Sequence, residues 1–160
     1  MELKLIGINK PDDVNCIIGQ AHFIKTVEDL YEALVQAVPG IKFGVSFCEA
    51  SGPCLIRHTG TDAELEQMAV AAAQAIAAGH VFVIILGNAF PVNVLNAVKG
   101  VAEVCNVFCA TANPVRMVVA CDGEDRGVMG VIDGSGPKGV EDEAERAARH
   151  SMLRRFGYKQ

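Results

Sequence analysis

Apolar residues fall at two spacings along the chain and predict about twelve elements. Glu2–Ile8 alternates weakly and predicts a strand, followed by a turn at Lys10-Pro11-Asp12-Asp13. Val14–Ile18 predicts a short strand that Gly19 ends. Thr26 opens a helix, with Asp29 three residues on as a variant capping box, and Val27, Leu30, Tyr31, Leu34, Val35 and Val38 follow at helical spacing. Pro39-Gly40 stops it. Ile41–Cys48 predicts a strand with Phe43, Val45 and Phe47 on one face, and Cys54–Arg57 a further short strand. Thr61-Asp62-Ala63-Glu64 has the form of a capping box. Leu65, Met68, Ala69, Ala72 and Ile76 then share a helical face, with Gly79 in the position of a C-terminal cap.

Val81–Leu86 is a continuous apolar run rich in β-branched residues, the pattern of a central strand buried on both faces. Val92–Val98 predicts a short helix after Pro91. Val104–Ala110, Val115–Cys121 and Val128–Ile132 predict three more strands, close enough together for a meander, and Gly139–Phe156 a charged closing helix. The sum is seven or eight strands and four helices. Two helices lie between strands as in βαβ units, so the expected class is α/β (α+β), a mixed β-sheet covered by helices. With 160 residues and no linker or repeat, residues 1–160 form a single domain.

Composition narrows the function. The chain is 51% apolar, rich in Ala and Val and without Trp, so its core is built of small side chains. A net charge of −5 with scattered cations argues against nucleic acid. The basic residues near the C-terminus alternate with Glu141, Asp142, Glu143 and Glu145 and read as a solvated helix face. No apolar run approaches the ~20 residues that cross a bilayer, and Met1–Lys10 lacks a signal-peptide pattern, so the expected location is cytoplasmic. Six cysteines form no C-x-x-C pair. Cys105 and Cys109 sit ~13 Å apart on a strand, so the cysteines read as reduced, buried small hydrophobes with no metal site.

Chemistry-bearing residues gather in the loops. Gly134-Ser-Gly136-Pro-Lys138-Gly139 matches G-x-G-x-x-G, yet too little chain follows for a dinucleotide fold. It remains either an anion-binding turn at a helix N-terminus, with Lys138 adding charge, or a plain loop. Gln20, His22 and Lys25 stand together after a strand, and a neutral imidazole there can act as base or nucleophile. A lone surface histidine has the same appearance. His58, His80 and His150 compete with it. Asn88, Phe90 and Asn93 follow the central strand, where Phe90 could stack on a base and the amides read its edges. Phe90 reads equally as core. Asn113 stands in a similar loop. Glu49 and Asp133, at strand ends, suit a general base or a Mg²⁺ ligand.

Six segments together carry a family resemblance: residues 19–25 (GQAHFIK), 43–52 (FGVSFCEASG), 89–97 (AFPVNVLNA), 110–114 (ATANP), 127–134 (GVMGVIDG) and 153–159 (LRRFGYK). In order and spacing they resemble the adenosine-specific kinase family over nearly the whole chain. The resemblance implies binding of adenosine, AMP, ADP or ATP, and phosphoryl transfer. It implies a homo-oligomer, a trimer or a dimer of trimers, with ligand near subunit boundaries, and phosphorylation of a histidine. By motif position that histidine is His22, with His80 the alternative. Lys25, Lys138 and the Gly134–Gly139 backbone would then neutralise phosphate. Asn88, Phe90 and Asn93 would hold base or ribose, with Gln20 and Asn113 nearby, and Asp133 or Glu49 would orient the nucleophile or Mg²⁺. The second expectation is a non-catalytic adenosine or AMP sensor, and the third a purely structural oligomer.

Overall fold

Val81–Leu86 is the centre of the molecule, with all six residues buried. The computed structural model describes residues 1–160. The elements run β1 (Glu2–Gly7), β2 (Asn15–Ala21), α1 (Thr26–Ala37), β3 (Phe43–Cys48), β4 (Ile56–Gly60), α2 (Ala63–Ile76), β5 (Val81–Leu86), α3 (Pro91–Lys99), β6 (Val104–Thr111), β7 (Val115–Asp122), β8 (Asp125–Asp133) and α4 (Glu143–Arg155). The eight strands and four helices form one α+β domain. Where the sequence suggested one mixed sheet, the strands divide into a five-stranded sheet, β4-β3-β5-β2-β6, and a three-stranded sheet, β1-β7-β8. Every pairing is antiparallel.

The βαβ pattern has a physical basis even so. β2 and β3 each pair antiparallel with β5, so they run parallel to one another with β5 inserted between them. β4 and β5 flank β3 in the same way, and β5 and β6 flank β2. Helices α1, α2 and α3 make these three crossovers, and each skips one strand. No helix is long and apolar enough to cross a membrane.

Alternation along β5 builds two cores. Phe82, Ile84 and Leu86 pack with Leu30 and Leu34 of α1, Val94 and Val98 of α3, and Phe43, Val45 and Phe47 of β3. Val81, Val83 and Ile85 pack against Leu65, Ala69, Ala72 and Ile76 of α2 and against Val115, Met117 and Val119 of the smaller sheet. The layers are therefore α1 and α3, the large sheet, then α2 beside the small sheet.

Several boundaries differ from the sequence pattern. β2 runs through Gly19 because that glycine serves close packing: a Cβ there would lie 2.4 Å from both the Asn106 carbonyl oxygen and the Phe82 ring. β4 starts at Ile56, after Cys54 turns the chain at φ +50°. The cap of α2 is Asp62, which accepts from the Glu64 and Leu65 amides, while the Thr61 hydroxyl donates to the Ile41 carbonyl. Its left-handed stop is Ala77. Asp29 does not cap α1 but binds Lys25. A bulge in the β2–β6 pairing leaves Cys105 exposed and Cys109 buried. Cys54 is exposed as well, so the cysteines are not uniformly core residues. α4 buries no residue, as its interleaved charges predict.

Candidate functional site

Antiparallel pairing gives the large sheet two distinct ends. Asn15 opposite Leu86, and Cys16 opposite Thr111, mark the first; Gln20 opposite Val81, and Ala21 opposite Val104, mark the second. The length of β2 separates them by roughly 20 Å.

The first end holds a cleft of ≈ 610 Å³ lined by Phe90, Pro91, Val92, Ala110, Thr111, Ala112, Phe156 and Tyr158. Phe90 is exposed there rather than built into the core. Phe156 and Tyr158 come from the segment after α4, and no periodicity marked them. An aromatic pair following a helix with no apolar face was the available signal. Beside the cleft, Asp133 Oδ1 accepts from the Thr111 hydroxyl at 2.7 Å and the Asn113 amide nitrogen at 3.1 Å. Lys10 Nζ donates to the Val14 and Ala112 carbonyls at 2.8 and 2.7 Å, so a charge stands at this end.

Asn88 and Asn93 also lie at this end, the Asn88 amide and the Asn93 side-chain oxygen bonded to backbone. Asn88 accepts from the Lys42 amide at 2.7 Å and donates to the Gly40 carbonyl at 3.0 Å. Asn93 Oδ1 accepts from the Phe90 amide at 2.9 Å at the start of α3. Gly134 turns the chain at φ +62° against Asn113. Gly136 and Lys138 lie in the exposed segment beyond it, which does not run directly into a helix start. α4 begins only at Glu143, and Asp142, Glu143 and Glu145 make its N-terminus acidic. An anion gains little from such a terminus.

Across the second end, Glu49, His80, His22 and Glu103 follow one another in strand order. Glu49 accepts from the Leu55 amide at 2.7 Å and from Arg57 at 2.9 Å, and these donors hold its carboxyl below the usual range, the Leu55 amide most strongly. His80 adopts φ +65° and stacks on Phe47 with ring centroids 5.9 Å apart. Its amide donates to the Cys48 carbonyl and its carbonyl accepts from the Ala21 amide, so His80 and His22 are neighbours. The His22 ring is exposed beside Phe23, and its amide donates to the Glu103 carbonyl at 3.1 Å. Lys25 is paired with Asp29 and, at 2.9 Å, with Glu103. Gln20 is exposed on β2. Cys54, Ala77 and His80 are the non-glycine residues with positive φ, and all three sit at this end. Such strain gathers where function over-determines the backbone.

Thus Asn88, Phe90, Asn93, Asn113, Asp133 and Gly134 share one end, and Gln20, His22, Lys25 and Glu49 the other. No three His, Cys, Asp or Glu side chains converge to hold a metal ion. Glu49 has both oxygens engaged, whereas both hydrogen bonds to Asp133 fall on Oδ1. Asp133 therefore suits the single-carboxylate contact that Mg²⁺ makes when phosphate supplies its other ligands.

The sequence model of a family described as adenosine specific kinase matches residues 6–159. A crystal structure of the PH1918 protein from Pyrococcus horikoshii OT3 superposes with TM-score 0.95 at 44% identity, covering 99% of this chain and 98% of that one. No curated protein matches significantly.

Proposed function

The chain belongs to the adenosine specific kinase family, and from that premise we propose that it binds adenosine or an adenine nucleotide in the Phe90 cleft and transfers a phosphoryl group through His22. The observation that carries this reading is the cleft. Phe90, Phe156 and Tyr158 offer flat apolar surface beside the Thr111 hydroxyl, in a volume of ≈ 610 Å³. Nucleoside-sized ligands occupy sites of such size and mixed lining. Aromatic faces stack on a base. The Gly134–Gly139 backbone and Lys138 would be exposed donors for phosphate, with Gln20 a further polar group beside His22. Mg²⁺ held by Asp133 and the nucleotide would neutralise phosphate charge.

In the transfer, an unprotonated nitrogen of His22 attacks the terminal phosphorus of ATP. The P–N bond forms as the P–O bond breaks, and ADP leaves with the electron pair. Lys25 supplies positive charge beside the phosphorylated ring. Phosphoryl transfer depends mainly on such positioning and electrostatics.

The strand length between the two ends bears on assembly. A homo-oligomer packed head to tail would bring His22 of one subunit to the cleft of the next, and such heterologous contacts close into rings such as trimers. Exposed Phe23 and Ile24 at one end and Val92 at the other supply apolar surface for that contact. The same separation favours a second reading, a sensor that binds adenosine or AMP without turnover.

The deciding experiment pairs calorimetry with radiolabelled ATP. Wild type is expected to bind adenosine and to take acid-labile, base-stable label, and His22→Ala to bind adenosine without taking label. Full labelling of His22→Ala would eliminate the histidine assignment, and binding by wild type without any label would establish the sensor.

A further inference from the structure

We propose that Glu103 is a positioning residue that clamps the His22–Lys25 segment at two points, its carboxylate holding the Lys25 ammonium and its backbone carbonyl holding the His22 amide. The inference rests on the assignment of His22 as phosphoryl acceptor. Glu103 lies in the turn between α3 and β6, and the pairing of Ala21 with Val104 brings it beside a segment some eighty positions earlier in the chain.

Its side chain is only 3% exposed. Neither carboxylate oxygen has an aligned hydrogen-bond donor. The Lys25 ammonium, 2.9 Å from Oε1, is therefore the cation that compensates a buried charge. A buried carboxylate so poorly served contributes little to stability compared with an apolar residue of the same volume. Its presence calls for another account, and its contacts supply one. The same residue accepts from the His22 amide at 3.1 Å, so it fixes both ends of the segment at once.

The charged groups facing Lys25 are Asp29 from α1 and Glu103 from the turn before β6. Asp29 first and Glu103 second hold the ammonium above the ordinary lysine range. Lys25 is consequently a fixed donor. An ammonium has three N–H groups, and beside its two anionic partners Lys25 keeps capacity to donate to a phosphoryl oxygen.

The test uses the full chain with Glu103→Gln, which keeps shape and removes charge, and Glu103→Asp, which keeps charge. Three readouts are followed: melting temperature with adenosine affinity, the single-turnover rate of His22 labelling from ATP across pH, and the NMR titration of the Lys25 side chain. Glu103→Gln is expected to leave adenosine affinity unchanged, because the Glu103 side chain is buried and is not among the residues that line the cleft. It should slow labelling on the order of tenfold to a hundredfold, the cost of a misplaced catalytic segment, and move the Lys25 titration down. Glu103→Asp should recover part of both. Unchanged labelling and titration in both variants would overturn the clamp, as would a parallel fall in melting temperature, affinity and labelling that Glu103→Asp does not relieve. If wild type takes no label, the assignment of His22 fails on its own, and the Lys25 titration decides the clamp: a downward shift in Glu103→Gln retains it, and no shift overturns it.

Discussion

Cys48 closes β3 at 6% exposure, with its thiol directed to the Ala73 carbonyl of α2. Burial pushes its pKa up from 9.0 to about 11. Below pH 9 both folded and unfolded forms keep the proton, and the fold has its full stability. Between pH 9 and 11 the unfolded thiol ionises while the buried one does not, so stability falls by up to ~2–3 kcal/mol. Urea unfolding followed across this range should show the decline, and Cys48→Ala should make it shallower, with Cys109, whose thiol is also raised by its hydrogen bond to Cys16 and by burial, keeping part of the slope; an equally steep decline in the variant would refute the assignment. The amides of Asn88 and Asn93 illustrate a limit at this scale. Their residue type and loop position suggested contact with a base, yet Asn88 is bonded to backbone through both ends of its amide, and Asn93 through its oxygen. An amide shows in sequence that it will bond, and not whether its partner is ligand or chain. Asp133 differs because its partners, Thr111 and Asn113, leave one oxygen open at the cleft edge.

Between elements, α2 packs closely on β3 at Gly44. A Cβ at Gly44 would stand 2.3 Å from both the Glu66 nitrogen and the Glu66 Cα. Backbone on both sides cannot yield as a flexible side chain would. Ser46 continues the seam, its hydroxyl donating to the Ala69 carbonyl at 2.7 Å. Gly44→Ala should therefore cost about 3 kcal/mol, the upper part of the overpacking range. Gly7→Ala is the control, since nothing lies within 4 Å of a Cβ there. Thermal melts of the two variants test the contact, and equal melting temperatures would contradict it. Apolar periodicity identified the inner faces of α1 and α2 and all of β5, because burial selects residue type at every turn. It lost β2 beyond Gly19, where a glycine needed for close approach looks the same as one that ends a strand. It also placed the start of α4 too early, since Gly139 carries no capping group and Asp142 does.

For the molecule as a whole, two candidate ends one strand apart make a specific demand on the proposed assembly. If sites form between subunits, mixing Phe90→Ala with His22→Ala before reassembly should restore labelling, in about a quarter of sites for random heterologous pairing. Mixed oligomers that take no label would exclude shared sites. Fold class was legible because eight strands and four helices each left a local signal. The division into two sheets, and of the candidate residues between two ends, was not, because strand direction is set by partners distant in sequence. That same wiring governs how the chain reaches its native state. β5 pairs with β2 and β3, whose partners Asn15 and Phe43 meet it at Leu86. Neither earlier strand can complete its sheet pairing until more than half of the polypeptide has left the ribosome. Loops of that span must close before any pairing rewards them, and non-local pairing slows folding. The nascent amino-terminal half would thus carry unpaired apolar strands such as Asn15–Ala21 during synthesis, an interval in which chaperone engagement or aggregation competes with productive folding.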